Sequence, residues 1–166
     1  GLCPALGILH MPRTSSRLIL LVEDEPIVAL DEKHTLESYG YTVMHARSGE
    51  EAVSLATETA DVDLVLMDID LGSGMTGDQA AERILAIRDL PIVFLTSHAE
   101  KEFVERVKKI TRYGYVVKNS GEFVLWDTIE VAFDLYQAHQ RIREREARYR
   151  ALFYNAHSPM QIGRAH

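Results

Sequence analysis

Residues 18–26 read LILLVEDEP. The run Leu18–Val22 is apolar without interruption, the pattern of a strand buried on both faces; a strand with one wet face would alternate. Three acids follow, and then Pro26, which suits the first turn of a helix because the N–H it lacks would be unbonded there. A buried strand passing directly into a helix is the opening of a βα unit, and the same alternation continues along the chain. The first helix places Ile27, Leu30, His34 and Tyr39 at helical spacings and ends at Gly40. Residues 41–45 (YTVMH) form a second strand, and Ser48 caps a helix that opens with Glu50 and Glu51. Leu64–Met67 is a third strand, followed by the loop GSGMTG at 72–77 and a helix through Ala80, Ile84 and Ile87. Pro91 precedes a fourth strand at 92–95, a helix spans 100–110, and Tyr115–Val117 is a fifth strand. A long helix begins near Glu122. Five strands separated by helices require right-handed crossovers, so the fold class is α/β: a doubly wound, five-stranded parallel sheet covered on both faces.

Composition is consistent with that class. The 166 residues are 46% hydrophobic and 26% charged, near globular averages, which excludes collagen-like, disordered and disulfide-framework chains. The single cysteine, Cys3, excludes an internal disulfide and a Cys-based zinc site. No apolar run approaches the roughly 18 residues of a membrane span, and a net charge of −7 disfavours a nucleic-acid face. Residues 1–16 read as a disordered N-terminal arm that makes a poor signal peptide. A soluble, cytoplasmic, acidic domain is expected.

Open parallel sheets bind ligands beyond the carboxyl ends of their strands, at the point where strand order reverses. The first strand ends in Glu23-Asp24-Glu25, the third in Asp68 with Asp70 two residues on, the fourth in Thr96-Ser97 and the fifth in Lys118. Singly these are ordinary: acids cap helices, an Asp turns a chain, a Thr-Ser pair serves as an N-cap, and a terminal Lys is a surface charge. Jointly they make a device. Carboxylates from two strands suit a hard cation such as Mg²⁺, while a hydroxyl and an ammonium from two others suit the oxygens of a phosphoryl group.

On these residues the chain resembles the receiver domain of two-component response regulators. The resemblance rests on LILLVEDEP at 18–26, DLVLMDIDL at 63–71, PIVFLTSHA at 91–99 and GYVVK at 114–118, and spans residues 17–137. It implies a flavodoxin-like sheet of order 2-1-3-4-5, with Asp68 as phosphoacceptor. Mg²⁺ would be held by Asp24 and Asp68, by Glu23 through water and by the backbone carbonyl of Asp70. Thr96 would be the switch hydroxyl, Lys118 the phosphoryl-binding ammonium, and Tyr115 the aromatic whose rotamer follows Thr96. The implied partner is a histidine kinase or phosphotransfer protein, with a homodimer through the fourth helix, fifth strand and fifth helix. Two departures stand out. Asn119 follows Lys118 where the family usually has a proline, commonly cis, so this peptide is either trans or a site of stored strain. Gly72, Gly74 and Gly77 occupy a loop where a proline-containing turn is common. That loop lacks the Gly-Lys-Ser/Thr ending of a phosphate-binding loop. An alternative reading keeps the fold as a phosphorylation-independent interaction module. A flavodoxin-like cofactor site is disfavoured because Glu23-Asp24-Glu25 would repel a phosphate.

Between Phe123 and Arg150 there is no Gly or Pro, so the last helix should run unbroken to about Arg150, with residues 138–153 as a helical connector. Tyr136, Ile142 and Tyr149 offer a sparse seam for a second copy. Its five arginines at 137–150 are interrupted by Glu144 and Glu146, which makes nucleic acid a poor reading. Residues 146–160 (EARYRALFYNAHSPM) resemble the start of a PAS sensory domain, which implies the receiver end of a larger signalling protein; 154–166, from Ser158 at the latest, should be an unstructured tail.

Overall fold

The computed structural model describes residues 16–97, 100–111 and 113–164, with side chains as far as Phe153. Most of the predicted N-terminal arm, His98-Ala99 of the fourth quoted motif, and the last two residues of the tail lie outside the described residues. The elements follow in strict alternation: β1 (Leu18–Val22), α1 (Pro26–Ser38), β2 (Thr42–Ala46), α2 (Gly49–Glu58), β3 (Val62–Asp68), α3 (Gly77–Ile87), β4 (Ile92–Thr96), α4 (Lys101–Ile110), β5 (Tyr115–Val117) and α5 (Glu122–Arg164). All neighbouring strands pair in parallel, in the order β2-β1-β3-β4-β5. The chain leaves β1 to one side for β2 and returns to the other for β3, so the switch point lies between β1 and β3.

Alternate strand residues enter two cores. Leu20, Val22, Met67 and Phe94 pack with Ala52 and Ala56 of α2, Ala80 and Ile84 of α3, and Val107 of α4. Ile19, Leu21, Leu66, Leu95 and Val116 pack with Leu36 of α1 and with Leu125, Ile129 and Phe133 of α5. Small alanines on α2 and α3 let those helices sit close to the sheet, and no helix among the described residues is long and apolar enough to cross a membrane.

Local signals behave as expected at several ends. Pro26 opens α1, Ser48 Oγ accepts the Glu51 N–H at 3.1 Å, and Gly40 takes a positive φ of 95° just beyond α1. Four expectations need correction. The buried face of α1 is Ala29 and Leu36, whereas Ile27 and Leu30 are 84% and 70% exposed; the helix is rotated so that its larger apolar residues face outward. Thr96-Ser97 does not cap α4, which begins at Lys101 with Glu100 at its N-cap, because Thr96 still pairs with Val117 in the sheet. Helix α5 continues for 43 residues to Arg164, so most of the segment expected to be a tail is helical. From Glu122 to Ser158 there is no Gly or Pro to stop it. Tyr136 also leaves the predicted seam: it packs on the domain and donates its hydroxyl to the Asp89 carbonyl at 3.0 Å.

One side chain closes the end of α2. The Arg88 guanidinium donates to the carbonyls of Ala56, Thr59, Ala60 and Val62 at 3.0, 2.8, 2.5 and 2.7 Å. Carbonyls in the last turn of a helix have no partner within it, so this fork supplies what the helix cannot. Arg88→Ala should cost about 2–3 kcal/mol in urea denaturation, and Arg88→Lys should recover less than half, since an ammonium cannot span the same four acceptors.

Candidate functional site

The predicted residues converge at the switch point. Glu23, Asp68 and Thr96 are essentially inaccessible at the ends of β1, β3 and β4. Lys118, just past β5, reaches back across the sheet and donates from Nζ to Glu23 Oε1 at 2.8 Å and to Asp68 Oδ2 at 2.9 Å. Its backbone N–H donates to the Thr96 carbonyl at 2.7 Å, which holds the end of β5 against the end of β4. One carboxylate oxygen from each of Glu23, Asp24 and Asp68 lies within 4.8 Å of the others. Asp70 joins through its backbone: its N–H donates to Asp68 Oδ1 at 3.0 Å, while its side chain is exposed. Tyr115 is partly buried against the core on the α2–α4 side.

The Lys118–Asn119 peptide is trans, since no cis bond occurs among the described residues. The chain turns instead through Asn119 at φ 67°, a left-handed conformation that asparagine tolerates better than most residues. Thus the departure from proline leaves the Lys118 ammonium on both carboxylates.

Three carboxylates against one ammonium leave excess negative charge in a buried place. Burial, and then the neighbouring Asp68, push the Glu23 carboxyl up to about 8, against the pull of Lys118. Burial also opposes the Lys118 charge, but its bonds to Glu23 and Asp68 outweigh this and raise its pKa. Hard oxygen donors with uncompensated charge fit a divalent cation such as magnesium, which typically binds one or two carboxylates and keeps several waters.

Several contributors were not anticipated. His45 Nε2 donates to the Glu23 carbonyl at 2.7 Å, and the Asp24 N–H donates to Glu23 Oε2 at 2.9 Å. The glycine loop has steric work here. A Cβ on Gly77 would lie 2.2 Å from the Asp68 carbonyl oxygen, and one on Gly72 would lie 2.9 Å from Asp24 Oδ2, which accepts the Gly72 N–H at 3.0 Å. The three glycines signalled a special loop, but which backbone they touch is a long-range fact. Glu32 was missed entirely. The α1 rotation carries it inward to a cavity of about 720 Å³ shared with Leu95, Lys118, Asn119 and Leu125. Its Oε2 is buried without a hydrogen-bond partner among the described residues. Burial raises its carboxyl to about 7, Lys118 lowers it, and Asp68 and Asp31 raise it further.

A carboxyl whose folded pKa lies above its unfolded value destabilises the fold as it ionises. For Glu32 the penalty is absent below pH 4.5, grows from there to about 7, and is complete above. Glu32→Gln should therefore stabilise the protein by on the order of 1–2 kcal/mol at pH 8 and by nothing measurable at pH 4, as read by urea denaturation at both.

Comparison with known proteins agrees with this geometry. Residues 19–130 match the family described as the response regulator receiver domain. The chain is 34% identical over 122 residues to the transcriptional regulatory protein PdtaR of Mycobacterium tuberculosis, covering 73% of this chain and 58% of that one. It is 37% identical over 84 residues to the phyllosphere-induced regulator PhyR of Methylorubrum extorquens, covering 50% and 32%. It thus spans less than two thirds of the length of either curated relative. Among solved structures, it superposes with a TM-score of 0.68 on the N-terminal domain of a response regulator/sensory box/GGDEF three-domain protein from Carboxydothermus hydrogenoformans. The two are 46% identical, over 74% of this chain and 98% of that one. A 2-1-3-4-5 parallel sheet that gathers two acids after β1, an aspartate on β3, a threonine on β4 and a lysine after β5 therefore has its relatives, and the chain belongs to the response regulator receiver domain family of two-component systems.

Proposed function

We propose that Asp68 accepts a phosphoryl group from a phosphohistidine of a histidine kinase or phosphotransfer protein and later loses it to water. The observation that carries this reading is the buried Asp68 carboxylate, bonded to Lys118 at 2.9 Å with Glu23 and Asp24 beside it. Transfer breaks the donor's P–N bond and forms a P–O bond to an Asp68 carboxylate oxygen; the departing imidazole keeps its electron pair. Hydrolysis forms a P–O bond to water and returns the carboxylate.

Asp24 and Asp68, the backbone carbonyl of Asp70, and Glu23 through water would hold Mg²⁺, which supplies charge neutralisation for the incoming phosphoryl oxygens. Lys118 neutralises the anion on the opposite side, and the Thr96 hydroxyl donates to a phosphoryl oxygen. Because phosphorylation adds about −1.5 to −2 charge, Lys118 and Thr96 are drawn to the product, and Tyr115 turns into the space the hydroxyl leaves. The surface of α4, β5 and α5 then changes shape for a partner. A kinase charged by ATP works in the cytoplasm, and that is the compartment this reading assigns to the chain. The sensory-box neighbour supports reading residues 17–137 as the receiver unit and 138–153 as a connector, with the PAS-like start at 146–160 leading to a further domain.

Acetyl phosphate with Mg²⁺ should add the mass of one phosphoryl group to the intact protein, and chelation should prevent it. Asp68→Asn should take none, and Lys118→Ala should lower the yield at least tenfold. Full labelling of Asp68→Asn would overturn the assignment. No labelling of the parent chain would leave a phosphorylation-independent interaction module. In crystals with and without beryllofluoride, Tyr115 should change rotamer, and Thr96→Ala should hold it in one state.

A further inference from the structure

Ala29, Glu32 and Leu36 stand three and four residues apart in α1, so they share one side of the helix. Ala29 and Leu36 are its two buried residues, and Leu36 belongs to the core between α1, α5 and the sheet. Glu32 thus holds a position that the helix otherwise gives to the core. A carboxylate there is costly unless something answers its charge. Its buried Oε2 has no hydrogen-bond partner among the described residues.

Strand alternation says what Glu32 faces. Leu21, Leu66 and Val116 point to the α1–α5 side of the sheet, in the second core. Glu23, Asp68 and Lys118 each follow by two residues, so they extend toward the same side. The cavity of Glu32 is walled by Leu95, Val116 and Lys118. Glu32 therefore faces Lys118 from α1, while Glu23 and Asp68 bond its ammonium from the sheet. Lys118 attracts the Glu32 charge and Asp68 repels it. The other charged residues around the cavity, Glu25 and Asp31 at the start of and on α1 and Glu122 at the start of α5, are exposed acids whose fields water weakens. One ammonium thus answers three carboxylates on one side of the sheet, two by bonds and one across the cavity.

We infer that Glu32 is a positioning residue for the Lys118 ammonium, drawing it toward the cavity in competition with Asp68. It thereby limits the negative charge that the Asp68 site can hold. The competition belongs to the free protein; its consequence rests on the reading of Asp68 as phosphoacceptor. An ionised Glu32 weakens the hold of Lys118 on a phosphoryl group at Asp68, which adds about −1.5 to −2 charge. A protonated Glu32 leaves Lys118 to Glu23 and Asp68. Burial raises the Glu32 carboxyl to about 7, so both forms are populated near neutrality. The site therefore takes a tetrahedral anion more weakly as pH rises through that range. Glu23, raised to about 8 and bonded to Lys118, titrates in an overlapping range, and substitution of Glu32 alone separates the two.

The competition is read in the metal-free full chain from the ¹³Cε signal of Lys118, assigned by its loss in Lys118→Arg. Between pH 5.5 and 9 the parent signal should move in two overlapping steps, and Glu32→Gln should remove the lower one. Asp31→Asn should lower the midpoint of that step without removing it, since Asp31 raises the Glu32 carboxyl. The consequence is read from beryllofluoride binding with Mg²⁺ by isothermal titration. Glu32→Gln should bind at least threefold tighter than the parent at pH 8, and equally at pH 5.5. Thermal unfolding checks that each variant is folded. A Lys118 signal that titrates identically in the parent and Glu32→Gln would overturn the inference. So would the same gain in affinity at both pH values, which would report the shape of the cavity and not its charge. If neither protein binds beryllofluoride, the phosphoacceptor reading fails, while the Lys118 signal still decides the role of Glu32.

Discussion

The ammonium of Lys118, bonded at once to Glu23 and Asp68, is the contact on which the rest of the site depends. It spans β1, β3 and β5, three strands that are distant in sequence, and among the described residues it supplies the only positive charge bonded to a pair of buried carboxylates. Without it, two like charges would face each other in low dielectric, and the cheaper outcome would be protonation rather than two anions. Even with it, Glu23 is displaced to about 8. Burial and the neighbouring Asp68 thus work against the charge of Glu23, and a cation held there would offset them.

Holding that arrangement requires close backbone approach on the other side of the sheet. Gly77 sits against the Asp68 carbonyl, Gly72 against the Asp24 carboxylate, and the Asp70 N–H directs one Asp68 oxygen. The β3–α3 loop is glycine-rich because its backbone, not its side chains, is what the acidic cluster touches. Opposite it, Asn119 gives the turn after Lys118 a left-handed residue without a proline. The two departures from the family pattern thus have local structural solutions that keep the charged groups together.

Helix α5 links this site to the outside. Its inner side is part of the second core, through Ile129 and Phe133, and Tyr41 donates to Glu130 at 2.6 Å near the same face. Its outer side exposes Leu135, Ile142 and Tyr149, and Arg143 still pairs with Asp89 where the helix leaves the domain. β5 and Tyr115 therefore lie close to the root of a long helix.

The sequence by itself determined the strands, their parallel arrangement through helical crossovers, and the identity of the strand-end residues. Each of those signals is local: Leu18–Val22 is continuous in apolar character, and the residue that ends a strand is necessarily at the sheet's edge. The tertiary structure decided what depends on rotation and on distance. Period alone shows that α1 and α5 have apolar positions, but not which side meets the sheet; packing turned Ile27 and Leu30 out, Glu32 in, Tyr136 onto the domain and Leu135 away from it. The bonds of Arg88 to four carbonyls, of His45 to Glu23, and the contact of Gly77 with Asp68 join residues from separate elements. No local pattern encodes them, because a side chain's partner across the fold is set by how the layers come together and not by its neighbours along the chain.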